Sequence, residues 1–226
     1  MDANVVSALV DYWDSIAGYM PGFLKASWIA SEVTVFVILV SWLSGLILAL
    51  GKSSSRRLFN WPATFYIWFI RGTPTLVQIF IVYFGLPQTG LRLSPFVAGV
   101  AALGLNSGAY VAEIIRGGML AIPKGQMESA LATGMSPAQA MLRIILPQVV
   151  RIIIPPITNE AASALKNTSL LSAITLVELT LYAQMIIAAT YRPFDFYIIA
   201  ALLYLVLTTV LTQLSAWFER RYRLVY

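Results

Sequence analysis

The sequence predicts an all-α polytopic membrane protein with five transmembrane helices and a helical hairpin on one side of the membrane. Its 226 residues are 59% hydrophobic and only 11% charged, whereas about a quarter of the residues in a soluble domain are charged. The apolar residues form runs long enough to cross a hydrocarbon core of about 30 Å. Lys and Arg cluster between those runs. This pattern argues against a water-soluble globular enzyme.

The chain contains no Cys and no His. Their absence removes thiolate nucleophiles, imidazole bases, disulfides and the common transition-metal ligands. We therefore expect no catalytic residue and no metal site, and no cofactor bound by this chain.

Five apolar runs predict the spans, and four of them are clear because each carries at most one charged residue. These four runs are residues 26–50, 61–87, 93–115 and 196–218. Residues 152–177 form the remaining predicted span, which Pro155, Pro156 and Glu160 interrupt. We expect residues 1–25 to form an external segment and residues 219–226 a cytoplasmic tail.

The net charge of +5 is interpreted as an orientation signal, because Lys and Arg concentrate in cytoplasmic loops. Basic clusters follow the first, third and last runs, which places the N-terminus outside and the C-terminus inside. Five crossings then require a short external helix over about residues 178–190. The first twenty residues lack a basic start, so a signal peptide is not expected.

The cytoplasmic loop, residues 116–151, carries the signals of a helical hairpin. We expect a first helix with Glu128 in its first turn, where the helix dipole favours an anion. Gly134 suits the left-handed residue that ends a helix. Ser136 and Gln139 predict a capping box that starts a second helix, and Pro147 is expected to end it.

The residues of this hairpin resemble the EAA loop of the membrane subunits of bacterial ATP-binding-cassette importers. The loop has the pattern EAA-x3-G-x9-I-x-L-P, and six of its seven fixed positions match. The matching segment consists of Glu128, Ser129, Ala130, Gly134, Ile144, Leu146 and Pro147, with Ser129 in place of the usual Ala. Flanking segments such as Arg71-Gly72-Thr73-Pro74 are similar to the polar amino acid uptake branch of that family, which has the type I importer fold.

The resemblance implies a permease subunit that works with several partners. These are two cytoplasmic ATPase subunits that bind ATP and Mg, a second permease subunit, identical or paralogous, and an extracytoplasmic substrate-binding protein. It also implies a location in the bacterial inner membrane and assigns the seven loop residues to ATPase docking and coupling. The chain has no Gly-x-x-x-x-Gly-Lys-Ser/Thr loop for nucleotide phosphates, so ATP hydrolysis is expected in the partner.

Polar residues within the spans are candidates for a substrate path, since ionisable groups in membranes are costly. Glu160, next to Asn159, could bind the cationic group of an amino acid. The alternative is a structural ion pair with Lys166 or a helix neighbour. Asn106 and Tyr110 share one helix face and line the same path, or else they make polar contacts between packed helices.

Two further charged groups are expected to be structural. Glu113 and Arg116, three residues apart, predict an anchoring ion pair. Arg71 lies beside a predicted helix irregularity at Gly72-Thr73-Pro74, where a role in subunit packing is favoured over one in the path.

Three other functions remain open. The same importer could carry an opine, another small polar solute or an inorganic anion, because the loop motif does not report the cargo. An ion-coupled secondary carrier would show repeated halves, which this chain lacks. An intramembrane enzyme would need His, Cys or paired carboxylates at a suitable spacing.

Overall fold

The computed structural model describes residues 12–222, with side chains up to Trp217. Four helices in this part of the chain are long and apolar enough to cross a membrane, and a bent pair of helices would make a fifth span. All regular elements of the described chain are helical. The predictions for residues 1–11 and 223–226 lie outside the described residues.

From residue 20 onward the helices are, in chain order, α1 (Met20–Ser53), α2 (Arg57–Gly72), α3 (Thr75–Phe80), α4 (Pro95–Leu120), α5 (Lys124–Ala132), α6 (Pro137–Ala140), α7 (Leu146–Asn167), α8 (Leu179–Thr190) and α9 (Pro193–Tyr222). After α3 the chain continues through a π-helical turn, Ile81–Gly85, and a 3-10 turn, Leu86–Thr89. A second π-helical turn, Met141–Ile145, joins α6 to α7, and a 3-10 helix, Thr168–Ile174, follows α7.

The pair α1 and α4 forms the centre of the bundle. Gly104 and Gly108 of α4 face Val40 and Ser44 of α1, and a Cβ atom on either glycine would lie within 2.6 Å of these side chains. Small residues four apart let two membrane helices approach closely. A larger residue at either glycine would therefore push the central pair apart.

The chain bends by 110° between α2 and the helical segment Thr75–Thr89. The predicted helix irregularity is thereby confirmed, but residues 61–87 do not form one straight span. Thr73 is extended, with φ −119° and ψ 148°, as expected before a proline, whose ring excludes the helical conformation of the preceding residue. The Gln78 side chain donates to the carbonyl oxygens of Ile70 and Thr73, which satisfies acceptors that the break leaves without helical partners.

A single unbroken helical run of 38 residues, Pro137–Ile174, contains both α6 and α7. The prediction that Pro147 ends the second hairpin helix was wrong. The π-helical turn accommodates this proline, since the backbone N–H of Leu146 donates to the Met141 carbonyl five residues earlier. Pro155 and Pro156 also lie inside α7. The hairpin and the predicted fourth span thus share one helix.

Helix α8 matches the short helix predicted for residues 178–190 and begins at a buried carboxylate. Both carboxylate oxygens of Glu178 accept backbone N–H groups of α8, from Thr180 and Leu181 at 3.0 Å. Tyr204 of α9 donates its hydroxyl to the same carboxylate. Burial raises the pKa of Glu178 above its ordinary value, against the lowering effect of these hydrogen bonds. Glu178 therefore connects the start of α8 to α9.

Candidate transport path and hairpin

Glu160 of α7 and Ser107 of α4 form a direct polar contact between two helices of the bundle. Ser107 Oγ donates to Glu160 Oε1 at 2.6 Å. Within residues 12–217, no Lys or Arg nitrogen lies within 4.0 Å of this carboxylate, and the predicted alternative of an ion pair with Lys166 is not formed. The second carboxylate oxygen accepts no hydrogen bond from the described side chains, and it is not sealed from solvent. Glu160 therefore has no counter-cation among the described residues.

Two polar side chains of α7 lie at the surface of the subunit near Glu160. Asn159 and Lys166 are exposed, and Ser163 lies between them, one turn after Asn159. An apolar face is the norm for a helix that contacts lipid. This polar face of α7 is therefore poorly suited to lipid contact.

Asn106 lies in a buried polar network at the bend after α2. Its Nδ2 donates to Gln78 Oε1 at 2.9 Å, and Gln78 Nε2 donates onward to Thr73 Oγ1 at 2.7 Å. Asn106 is 5% exposed. The structure thus gives Asn106 the alternative role considered above, a polar contact between packed helices. It brings Asn106 beside Ser107, but the Asn106 amide bonds to Gln78 and not to Glu160.

Tyr110 lies one turn further along α4, close to a cluster of charged residues. Its ring contacts the guanidinium of Arg71, with 5.3 Å between Arg71 Cζ and the ring centroid. Glu113 pairs with Arg116 at 2.8 Å, which confirms the predicted anchoring pair, and also with Lys52 at 2.7 Å. The structure therefore places Tyr110 beside the charged cluster.

The hairpin turn is built as its sequence predicts. Gly134 has a left-handed φ of 83°. The N–H of Gly134 donates to the Leu131 carbonyl, and that of Met135 to the Ala130 carbonyl, which is the Schellman pattern of helix ends. The capping box of Ser136 and Gln139 is present, and both of its hydrogen bonds form. The turn therefore has one defined conformation.

One local prediction for the hairpin was wrong. Helix α5 begins at Lys124, so Glu128 lies beyond its first turn. The helix starts earlier than predicted because Pro123, with an extended backbone, is its boundary residue. The Glu128 carboxylate is therefore exposed and lies away from the free N–H groups at the start of the helix. A dipole role for Glu128 is excluded, and the carboxylate instead faces outward.

The seven motif residues divide into a packing set and an exposed set. Ala130 of α5 is buried and Ile144 of the π-helical turn is half-buried, and these two elements pack against each other. Gln148 donates to Gln126 and to the Ile144 carbonyl, which links α7 to α5. The exposed members are Glu128, Ser129, Gly134, Leu146 and Pro147. The hairpin thus combines an internal packing contact with an outward surface.

The family model described as the binding-protein-dependent transport system inner membrane component matches residues 41–224. This match covers most of the bundle, the hairpin and the Ser107–Glu160 contact. The chain belongs to this family. It is an inner-membrane transport subunit, and its relatives are permeases rather than enzymes.

The matches between this permease and its curated relatives cover nearly the whole length of both chains. It is 41% identical to the octopine transport system permease protein of Rhizobium meliloti, covering 92% of this chain and 90% of the relative. It is 39% identical to a probable glutamine transporter permease of Bacillus subtilis, covering 92% and 95% of the two chains. A crystal structure of an amino acid ABC transporter with histidines has 42% identity and a TM-score of 0.87, covering 92% and 98%.

Sequence reasoning missed two residues of the permease that the structure places at the site. Gln78 and Ser107 both lie in apolar runs, where a single neutral polar residue gives little signal. Gln78 could have been found from its position, one turn after the Thr73-Pro74 break, because a break in a membrane helix needs a polar side chain to satisfy the freed backbone groups.

Proposed function

We propose that this permease subunit translocates a polar or cationic amino acid that an extracytoplasmic binding protein delivers. Two of its relatives are described as glutamine and arginine permeases, and the similar crystal structure is of an amino acid transporter. These relatives support an amino acid as cargo. Glu160 and Asn159 are the proposed path residues, with Glu160 as the direct contact, and Asn106 and Tyr110 are proposed to support the path.

The observation that carries this proposal is the state of Glu160. Its carboxylate accepts one hydrogen bond from a neutral hydroxyl and has no cation within 4.0 Å among the described residues. An ionisable group without a counter-cation within a membrane bundle is costly, so a function is expected to retain it. The α-ammonium of every amino acid, and the side chain of a cationic one, can pair with it.

Asn106 and Tyr110 have supporting positions in this scheme. Asn106 is adjacent to Ser107 on α4 and is fixed by Gln78. Tyr110 lies one helical turn nearer the basic end of the bundle, the end that carries Lys52, Arg116 and Arg151. The path would pass from Glu160 along α4 past Tyr110.

The hairpin is the proposed contact with a cytoplasmic ABC ATPase. Glu128, Ser129 and the other exposed motif residues except Gly134 would form the docking surface. Ala130, Ile144 and Gly134 would keep the two hairpin helices together. ATP and Mg would bind in the ATPase, while a second permease subunit, identical or paralogous, completes the membrane part. The basic end then faces the cytoplasm, with the N-terminus outside and the C-terminus inside.

A second cargo is favoured by one observation. The relative at 41% identity is an octopine permease, so an opine is the alternative substrate of the same importer. An opine derived from a basic amino acid keeps cationic groups, and Glu160 could pair with these as well.

The test is the ATPase activity of the complex reconstituted with its binding protein in vesicles, screened against single amino acids and opines. Stimulation by a cationic or polar amino acid supports the proposal. Stimulation by an opine alone selects the second cargo. Uptake driven by an ion gradient without ATPase subunits would contradict an ABC importer.

A further inference from the structure

Four charged side chains meet at the basic end of the bundle, and three of them are cations. Glu113 lies 2.7 Å from Lys52 and 2.8 Å from Arg116, whereas Arg71 Nη1 is 3.8 Å from Glu113 Oε2. The last distance is too long for a hydrogen bond. One carboxylate therefore balances three cations, and the guanidinium of Arg71 keeps its donors free of the described side chains.

A cleft of about 450 Å³ opens beside this cluster, between the end of α1 and one face of α2. It is lined by Lys52, Thr64, Ile67, Trp68, Arg71 and Gly72. Lys52 and Arg71 form its charged wall, and their side chains are 24% and 44% exposed. The contact with the Tyr110 ring holds the Arg71 guanidinium at the cleft. The cleft is thus open and positively charged.

An aromatic stripe on α2 borders the cleft. Trp61, Phe65 and Trp68 are 70%, 50% and 69% exposed. Their rings form a row, with centroids of successive rings 5.8 Å apart. Trp is enriched where a membrane meets water, because its ring packs on acyl chains while its N–H reaches the headgroups. The cations of the cleft therefore lie beside a surface suited to lipid.

We propose that this cleft binds an anionic phospholipid. Lys52 and Arg71 contact the headgroup phosphate, and the acyl chains lie along the aromatic stripe. Charge complementarity favours this occupant, since a phosphate would balance the excess positive charge around Glu113. A basic site between membrane helices with flanking Trp residues is a suitable environment for an anionic headgroup. The inference depends on the proposed placement of the bundle in a membrane, but not on the cargo or the ATPase.

The experiment measures which lipids remain bound to the purified permease complex. Complex from vesicles of equal phosphatidylglycerol and phosphatidylcholine content is extracted in mild detergent, and its retained lipids are quantified by native mass spectrometry. Phosphatidylglycerol should be retained in preference. Arg71→Gln should reduce this preference about fivefold, as expected for the loss of one cation at a membrane surface. Arg57→Gln is the matched control, because Arg57 lies on the same helix outside the cleft, and it should leave the preference unchanged.

A second variant tests the cleft without changing charge. Thr64 is exposed at the cleft wall, so Thr64→Trp should fill the space and lower retention of phosphatidylglycerol as Arg71→Gln does.

Equal retention of the two lipids by the wild type, or equal preference in the wild type and both cleft variants, would overturn the proposal. If excess inorganic phosphate abolished the preference for phosphatidylglycerol, the cleft would be a site for free anions and the lipid proposal would fail. A Thr64→Trp complex that loses a permease subunit yet retains the lipid would place a protein in the cleft instead. No substrate or ATP enters the assay, so a failed transport assay leaves its result unaffected.

Discussion

Ser107 Oγ of α4 lies 2.6 Å from Glu160 Oε1 of α7 and donates a hydrogen bond to it. This bond connects the central pair of helices to the helix that carries the hairpin. A neutral hydroxyl orients the carboxylate without cancelling its charge, so Glu160 is held in place while remaining able to pair with a cation.

Glu160→Gln should separate cationic from neutral cargo. The amide keeps the size of the side chain and can still accept from Ser107, but it loses the negative charge. A hydrogen bond to a charged group contributes about 1 kcal/mol more than a neutral one, so uptake of a cationic amino acid should fall about fivefold to tenfold. Uptake of a neutral amino acid should change less.

Radiolabelled uptake into vesicles containing the reconstituted complex measures both cargoes. Glu32→Gln is a matched control, since Glu32 is an exposed carboxylate of α1. An equal loss for cationic and neutral substrates in Glu160→Gln would contradict a direct contact.

Gln78→Leu should destabilise the bend between α2 and α3. The change removes the donor to the Ile70 and Thr73 carbonyls and leaves the buried Asn106 amide without its acceptor. Unsatisfied buried groups cost about 1–3 kcal/mol. Thermal unfolding in detergent should show a lower midpoint than for the wild type. Gln88→Leu, at an exposed position near the end of the segment Thr75–Thr89, should have little effect, and similar midpoints for the two variants would argue against the network.

Gly134→Val should uncouple transport without preventing membrane insertion. A β-branched residue at a φ of 83° is strained by about 1–3 kcal/mol, which would distort the Schellman turn. Substrate-stimulated ATPase activity of the reconstituted complex should fall. Gly125→Val is the control, because a Cβ at either glycine meets no atom within 4 Å, while Gly125 lacks the positive φ. Unchanged stimulation in Gly134→Val would disprove a coupling role for the turn.

Glu178 should make the stability of the permease depend on pH. Its pKa is raised in the folded protein above the ordinary value of 4.5, mainly by burial. A raised pKa favours the protonated form on folding, so this contribution is fully present below about pH 4.5 and is lost as the pH rises through the folded pKa. The unfolding midpoint should therefore fall as the pH rises from about 4.5 through the folded pKa of Glu178.

Glu178→Gln should make the unfolding midpoint less dependent on pH in this range. The amide cannot ionise, but it can still accept hydrogen bonds from the α8 backbone. Thermal unfolding across the pH range checks it. Identical pH profiles for the wild type and Glu178→Gln would show that another group is responsible.

The local signals of the hairpin were readable from the sequence because capping is a short-range effect. Ser136, Gln139 and Gly134 act on backbone groups within a few residues. The continuation of the helix through Pro147 was not readable, since a π-helical turn removes the clash that a proline normally causes. The role of Asn106 depends on Gln78, and that of Glu160 on Ser107. The two members of each pair are distant from each other in sequence. Hydropathy carries no signal for such pairings.

The run from Pro137 to Ile174 has a mechanical consequence. Glu160 lies 23 residues beyond Pro137 on one unbroken helix, a distance of about 35 Å at 1.5 Å per residue. A tilt of about 10° pivoting at the hairpin would move Glu160 sideways by roughly 6 Å, more than twice the length of its bond to Ser107. The helix would then act as a lever, so that a small rotation applied outside the bilayer opens a contact near the centre of the bundle.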